Sequence, residues 1–372
     1  MSSEALEPQR FHTIIIGAGQ IGLAAAFHLA QRGVDFVVLD AAARVGDSWR
    51  QRWDSLKLFT PAAWINLPGW SYPSKGFSDF PSKDETADYL EAYAKKFSLP
   101  VRSGVRVSRL FKRAGGLAVD CGTETLEADN VIVATGPYQR PKLPAFSGEL
   151  DDGILQMHSS DYRNPSQMRD GDVLVVGAAT SGCQIAMELV DGRRVYLSGR
   201  SVGKVPRAIL RPIFPFIAKR PKQSRLGQKL FTKARTQGHP LIGFSYKDVA
   251  KAGVERVGRT VGVKDGRPQL EGDQVLNVGN IVWSTGYKVD FSWIDLPLAW
   301  DDDYPVHERG VVAAEPGLYF VGLMFQHSLS SALLLGVDRD ARYVAEHLLN
   351  RERGQAQPAV DVVASRAPVH ES

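Results

Sequence analysis

Short apolar runs that end in glycine, each followed by a segment with helical spacing, occur twice in the chain. The first run, residues 13–16, leads into Gly17, and apolar side chains then recur at the spacing of a helix face over residues 21–28. Another apolar run, residues 36–39, ends in Asp40. Runs of β-forming residues bounded by polar residues are typical of strands, so this segment predicts a strand–turn–helix–strand unit.

The turn of this unit has the glycine spacing of a dinucleotide-binding site. Gly17 provides the tight turn, Gly19 lets a pyrophosphate approach the backbone, and Gly22 lets the helix pack closely on the strand. Gln20 lies between them at the helix start, where free N–H groups favour anions. Asp40 follows Gly17 by 23 residues, where a carboxylate accepts a hydrogen bond from an adenosine ribose hydroxyl. The unit therefore predicts a site for FAD or NAD.

The second unit repeats this layout with one glycine missing. The apolar run 173–176 leads into Gly177, and Gly182 holds the third-glycine position, but Ala179 replaces the middle glycine. Because alanine adds only one methyl group, we expect the turn to be retained, with weaker phosphate approach and some tolerance of NADH. The predicted helix covers residues 182–190. The residues of this turn that we expect to contact a coenzyme are Gly177, Thr180, Ser181 and Gly182.

Arg200 suggests which coenzyme the second unit takes. It follows Gly177 by 23 residues, the same offset that separates Asp40 from Gly17, and Ser198 precedes it. An arginine can pair with a 2′-phosphate through a bidentate fork, whereas a carboxylate there would repel that phosphate. This position therefore predicts NADPH, and the alternative is an ordinary surface arginine.

Two matching apolar strands flank the second unit, and each ends in Thr-Gly. The first ends at Thr135 and Gly136, and the second ends at Thr285 and Gly286. We therefore predict an α/β fold of two Rossmann-like domains, with an NADPH domain inserted in a discontinuous FAD domain. The predicted boundaries are 11–145 plus 286–350 for the FAD domain, 150–285 for the NADPH domain, and 351–372 for a disordered tail.

Charge is unevenly distributed along the chain. Residues 192–247 carry 14 Lys and Arg residues and no Asp or Glu, and the remainder carries 31 basic and 41 acidic residues. We interpret this basic block, inserted at about 200–247, as a phosphate site, a membrane-surface patch or a solvated insertion. Few aromatic residues interleave with these charges, so we expect no nucleic acid partner. Of the three interpretations we favour those without membrane contact.

The remaining composition narrows the function class. The chain has two cysteines, which lie far apart in sequence and form no CxxC pattern, so a disulfide scaffold, a zinc site and a dithiol redox centre are disfavoured. No metal-ligand cluster or Ser/His/Asp order is present, and the polar N-terminus does not resemble a signal peptide. We expect a cytoplasmic protein that acts on a small molecule. Its oligomeric state stays open, with a homodimer among the possibilities.

Motifs along residues 11–349 together resemble the flavin-containing monooxygenase family, on the branch that includes the plant YUCCA-type enzymes. The resemblance rests on the segments 17–22, 46–53, 56–61, 89–94, 134–136, 158–162, 177–182, 284–287 and 317–322. The family signature keeps His158 and Tyr162, but Asp152 and Ile154 stand where Phe and Gly belong.

The resemblance implies an activity and several further site residues. Family members reduce FAD with NADPH, form a C4a-(hydro)peroxyflavin with O₂, and oxygenate a soft sulfur or nitrogen nucleophile or a carbonyl compound. Trp49, Thr135 and Gly136 would belong to the FAD site, and Thr60, Gln326 and His327 are candidates for the substrate pocket. The alternatives are an NADPH-dependent flavin reductase or oxidase that produces H₂O₂, and a nucleotide-sensing flavoprotein without turnover.

Overall fold

A computed structural model describes residues 8–74, 76, 79–205, 214–237 and 240–354, except for the side chains of residues 234–237. The strands of these residues are β1 Arg10–Ile16, β2 Phe36–Asp40, β3 Asn66–Leu67, β4 Trp70–Ser71, β5 Val101–Ser103, β6 Arg109–Arg113, β7 Gly116–Asp120, β8 Thr125–Val133, β9 Arg140–Pro141, β10 Leu155–His158, β11 Val173–Val176, β12 Val195–Ser198, β13 Lys204–Val205, β14 Leu241–Ile242, β15 Glu255–Val257, β16 Thr260–Lys264, β17 Arg267–Leu270, β18 Asn280–Trp283, β19 Tyr287–Lys288, β20 Ile294–Asp295, β21 Trp300–Asp301, β22 Tyr304–Pro305 and β23 Leu318–Phe320. The α-helices are α1 Gln20–Ala30, α2 Asp47–Arg50, α3 Lys83–Lys96, α4 Thr180–Leu189, α5 Phe214–Ala218, α6 Arg225–Gln237, α7 Tyr246–Lys251 and α8 Val337–Glu352.

The larger sheet contains the first glycine turn at the end of a central strand. Its order is β20-β6-β7-β8-β1-β2-β5, and β23 also pairs with β8. β1 runs parallel to both β2 and β8, so Ile14 lies between Val37 and Val131. Ile14, Ile15 and Val131 are fully buried, as expected for central parallel strands that are covered on both faces.

The second sheet contains the second glycine turn. Its five strands, in the order β10-β18-β11-β12-β15, are all parallel. They come from residues 155–257 and 280–283, whereas the larger sheet takes its strands from residues 10–133 and 294–320. One continuous stretch of chain therefore builds the second sheet, and the segments before and after it build the first.

A short antiparallel ribbon joins the two sheets where the chain passes between them. β9 pairs with β19, so that Pro141 lies opposite Tyr287 and Arg140 opposite Lys288. The first of these strands lies in the Pro-rich stretch that follows Gly136, and the second directly follows Gly286. The two Thr-Gly motifs therefore mark the two places where the chain crosses between the sheets.

The C-terminal helix packs against α1 and differs from the sequence prediction. His28 Nε2 lies 2.8 Å from Asp338 Oδ1, which joins α1 to α8. We predict one helix over residues 330–349, but the structure has a 3₁₀ turn at Leu329–Ala332 and starts α8 only after Gly336. A Cβ at Gly336 would lie 2.2 Å from the Ser330 carbonyl oxygen, so the chain is tightly folded there.

The predicted tail begins too early, because α8 continues to Glu352. Residues 355–372 of the tail, and residues 206–213 and 238–239 of the basic insertion, lie outside the described residues. Among the helices that the structure describes, none is long and apolar enough to cross a membrane.

Candidate functional site: two glycine turns on one cavity

The first turn has the backbone geometry that its glycines require. Gly17 has φ of +110°, and a Cβ there would lie 2.7 Å from the Ala134 carbonyl oxygen. A Cβ at Gly22 would lie 1.8 Å from the Gly17 carbonyl oxygen, so α1 packs directly on the turn. At Gly19 an added Cβ would meet no heavy atom within 4 Å, and no side chain caps α1. Open space therefore lies over the uncapped helix start, which suits a phosphate.

Asp40 is fixed beside this turn at the carboxyl end of β2. Its Oδ2 accepts a hydrogen bond from the Ala18 backbone N–H, and its Oδ1 accepts one from the Ala42 N–H at 2.7 Å. The half-buried side chain also faces the cavity described below. The carboxylate is therefore oriented in advance, and a carboxylate oxygen that accepts one N–H bond can still accept a ribose hydroxyl.

The second turn adopts the same geometry despite its missing glycine. Gly177 has φ of +117°, and a Cβ at Gly182 would lie 1.8 Å from the Gly177 carbonyl oxygen, as at Gly22 in the first turn. Ala179 has φ −85° and ψ −173°, close to the φ −70° and ψ 179° of Gly19. Any L-residue adopts this extended conformation, so the middle position requires no glycine for its backbone. The alanine therefore leaves the backbone of the turn unchanged and only fills, with one methyl group, space next to it.

Both turns border a single cavity of about 730 Å³, within the range of ligand pockets. The predicted cofactor residues that line it are Gly17, Gly19, Gln20, Asp40, Trp49, Thr135, Gly136, Thr180 and Ser181. The Trp49 indole N–H donates to Gln20 Oε1 at 3.3 Å, and Thr135 Oγ1 accepts from the Gln139 amide at 3.0 Å. The N-termini of α1 and α4 therefore face the same cavity, although the two helices follow strands of different sheets.

The cavity wall carries more positive than negative charge. Its cations are Arg52, Lys57, Arg106 and Arg140, and its carboxylates are Asp40 and Asp290. Arg140 and Asp290 form an ion pair. The Ser292 hydroxyl, which donates to Asp290, and nearby Arg140 hold the pKa of that carboxyl below its ordinary value. Because positively charged side chains outnumber carboxylates in this wall, the cavity favours ligands that carry phosphate groups.

Several predicted site residues lie away from the lining of this cavity. Thr60 is buried, with 6% of its surface exposed. The Gln326 amide nitrogen donates to the Arg309 and Phe320 carbonyls, and its oxygen accepts from the Leu323 N–H, so the protein itself uses these groups. Burial lowers the pKa of His327. None of the three lines the cavity, and their proposed role in substrate binding stays a prediction.

The two residues predicted to bind the 2′-phosphate differ in their surroundings. Ser198 is fully buried, and its hydroxyl donates to the Gly258 carbonyl and accepts from the Thr260 N–H at 2.8 Å. Arg200 is exposed and, within the described part of the chain, forms no hydrogen bond or ion pair. Arg200 is therefore free to contact a ligand. Ser198 instead uses its hydroxyl to fix the end of β12, two residues before Arg200.

Sequence reasoning missed two arginines that the fold brings to these sites. Arg256 on β15 donates to the Gly199 carbonyl at 2.9 Å and lies 4.0 Å from the Tyr246 ring centroid, which places a second guanidinium at the backbone just before Arg200. Arg52 lines the cavity and donates to the Tyr287 hydroxyl at 2.6 Å. Both lie far from their partners in sequence, so only the pairing of β12 with β15 and the path of the crossing ribbon reveal them.

The described residues contain no disulfide and no cluster of metal ligands. Cys121 and Cys183 are both free. Burial raises the pKa of Cys183 to about 12 and that of Cys121 to about 11, so neither thiol ionises readily near neutral pH. The site therefore offers nucleotide-binding turns without a thiol pair or a metal centre among these residues.

The family model described as pyridine nucleotide-disulphide oxidoreductase matches residues 14–322. The chain belongs to this family. An uncharacterized CzcO-like oxidoreductase of Geobacillus kaustophilus is 39% identical over 346 residues, which cover 91% of this chain and 98% of the relative. A probable indole-3-pyruvate monooxygenase, YUCCA3 of Arabidopsis thaliana, is 25% identical over 405 residues, which cover 95% and 90%.

A solved structure agrees with this assignment. A flavin-containing monooxygenase from Stenotrophomonas maltophilia superimposes with a TM-score of 0.75 at 25% identity, covering 92% of this chain and 99% of that one. The predicted α/β class with two Rossmann-type sheets is confirmed, and so is the resemblance to flavin-containing monooxygenases. The family description mentions disulphide chemistry, but the described part of this chain has no paired cysteines to perform it.

Proposed function

We propose that this chain is an FAD-containing, NADPH- and O₂-dependent monooxygenase that oxygenates a small sulfur or nitrogen nucleophile or a carbonyl compound. The observation that carries the proposal is the shared cavity, onto which two nucleotide-type turns open from separate sheets. A single dinucleotide would need only one such turn. Two turns on one cavity suit the transfer of a hydride between two bound nucleotides.

The two turns take different nucleotides in this proposal. Residues 11–145 and 286–350 form the FAD domain, in which α1 faces the pyrophosphate and Asp40 accepts from the adenosine ribose. Residues 150–285 form the NADPH domain, in which Arg200 pairs with the 2′-phosphate. The open space at Gly19 and the methyl group of Ala179 make phosphate approach easier in the first turn than in the second. We therefore expect tight FAD binding, weaker NADPH binding and measurable use of NADH.

Once reduced, the flavin would supply the chemistry with O₂, and the protein would supply orientation and exclusion of water. Leu56, Leu58 and Phe59 line one part of the cavity with apolar side chains. Such a wall limits the access of water to the reacting atoms and accommodates an apolar substrate.

Oxygen labelling separates this proposal from its two alternatives. The FAD-loaded protein is given NADPH and an aryl methyl sulfide under ¹⁸O₂, with a parallel reaction in H₂¹⁸O under ordinary O₂. We expect ¹⁸O in the sulfoxide only in the first reaction. H₂O₂ formation without labelled product would indicate a reductase or oxidase. A flavin that NADPH leaves oxidised would indicate a nucleotide sensor.

Asp40→Asn is expected to lower the affinity for FAD about tenfold, because a charged acceptor is replaced by an amide that presents a donor to the Ala18 N–H or to the ribose. Titration of apoprotein with FAD, followed by quenching of flavin fluorescence, measures the change. The matched control is Asp35→Asn, since Asp35 is exposed and precedes the same strand. Equal affinities for the Asp40 and Asp35 variants would show that Asp40 does not contact the nucleotide.

A further inference from the structure

Arg52 occupies a fixed position in the cavity wall, between the two sheets. Its Nη1 donates to the Tyr287 hydroxyl at 2.6 Å, and its Nε donates to the Ser48 carbonyl at 3.2 Å. The guanidinium carbon lies 5.4 Å from the Tyr287 ring centroid and 5.9 Å from that of Tyr138. Tyr138 and Tyr287 belong to the two crossings of the chain, so this one side chain lies against both crossings and is hydrogen-bonded to the second.

The charge of Arg52 is not compensated by the described residues. No described carboxylate forms an ion pair with it, whereas Arg140, on the same cavity, is paired with Asp290. Its two anchors are a neutral hydroxyl and a backbone carbonyl, and they leave Nη2 without a hydrogen bond among these residues. A half-buried guanidinium that is immobilised but unpaired is suited to a negatively charged oxygen group.

Arg52 lines the same cavity as residues of both nucleotide turns. The residues that line the same cavity include Gln20 and Trp49 on the first-turn side and Thr180, Ser181 and Gln184 on the side of α4. Two sources of an anionic oxygen could reach such a position: a carboxylate of the substrate, or a phosphate of the nicotinamide coenzyme. Arg52 can recognise either, because both present paired oxygens to a guanidinium.

We propose that Arg52 is a binding subsite for an anionic oxygen group, a carboxylate or a phosphate, inside the shared cavity. The inference rests on the proposed function, since it assumes that the cavity holds nucleotide and substrate. Tyr287 is then a positioning residue, which acts by holding the guanidinium through its hydroxyl. The Tyr138 ring also lies near the guanidinium, with its centroid 5.9 Å from the guanidinium carbon.

Equilibrium binding to FAD-loaded protein tests the subsite without requiring turnover. Wild type, Arg52→Gln and Arg52→Lys are titrated with NADP⁺, with benzoate and with its neutral counterpart benzamide, and the change in the flavin spectrum reports binding. We expect Arg52→Gln to weaken NADP⁺ or benzoate about tenfold or more, with benzamide unchanged and partial recovery in Arg52→Lys. Loss confined to benzoate identifies a substrate carboxylate, and loss confined to NADP⁺ identifies the coenzyme phosphate.

Two further variants separate recognition from structural damage. Tyr287→Phe keeps the charge and removes only the hydroxyl anchor, so it should give a smaller loss with the same ligand. Arg194→Gln removes a surface cation that is paired with Glu255, and it should change neither affinity. The proposal is overturned if Arg52→Gln binds NADP⁺ and benzoate as wild type does, or if wild type binds neither. Absence of oxygenation, with the selective loss of binding retained, would contradict the proposed function but not the subsite.

Discussion

Gly22→Ala is expected to yield protein without bound flavin and with reduced stability. The added Cβ would lie 1.8 Å from the Gly17 carbonyl oxygen, and that oxygen belongs to the turn itself, so no flexible side chain can move aside. Separating α1 from β1 to relieve this contact would cost about 1–3 kcal/mol, the usual cost of overpacking a close-packed interior. Flavin content after purification and the midpoint of thermal unfolding measure the two effects.

Gly19→Ala is the matched control in the same turn. Its Cβ would meet no heavy atom within 4 Å, and the backbone conformation of Gly19 is open to any L-residue. We expect wild-type stability with moderately weaker FAD binding, because the methyl group occupies the space where the pyrophosphate approaches. A Gly22→Ala protein with full flavin content and wild-type stability would contradict the packing described for this turn.

Arg200→Gln is expected to raise the KM for NADPH about 10- to 100-fold and to leave the KM for NADH nearly unchanged. The side chain is exposed and unpaired within the described residues, so its removal disturbs no internal contact. What is lost is a charge-assisted pair with the 2′-phosphate, a group that NADH lacks. Steady-state kinetics with both coenzymes give the ratio directly.

Arg194→Gln serves as the control for coenzyme selectivity, because Arg194 lies just before β12, the strand that leads to Arg200, and pairs with Glu255 on the protein surface. It should leave the NADPH to NADH ratio as in wild type. Equal effects of Arg200→Gln on both coenzymes would mean that Arg200 does not contact the phosphate. In that case Arg256, which donates to the Gly199 carbonyl, becomes the candidate for this contact.

The glycine turns could be predicted from sequence because local sterics determine them. Gly17 and Gly177 both adopt positive φ directly after a buried strand, and Gly22 and Gly182 both contact the carbonyl of the glycine five residues earlier. These steric constraints act within a few residues, so the spacing of the glycines in the sequence is enough to predict the turns. The two Thr-Gly motifs could be predicted for a related reason, since each ends a buried parallel strand.

The rest of the site depends on contacts between distant parts of the chain. Arg52 and Tyr287 are separated by 235 residues, and no periodicity relates them. The family resemblance makes Gln326 a pocket candidate, but loop backbone carbonyls accept the hydrogen bonds of its amide nitrogen. Nearness to Arg200 in sequence predicts a ligand contact for Ser198, yet its side chain is fully buried and hydrogen-bonded to Gly258 and Thr260. The surroundings of each of these residues depend on tertiary contacts, which patterns of neighbouring residues in the sequence do not predict.

Anaerobic mixing of FAD-loaded protein with NADPH tests most directly whether one cavity brings two nucleotides together. We expect the visible absorbance of the bound flavin to fall in a fast first-order phase, whose rate saturates with NADPH concentration and is at least as fast as turnover. A protein that does not retain FAD, or one whose bound flavin stays oxidised while NADPH is bound, would contradict this expectation.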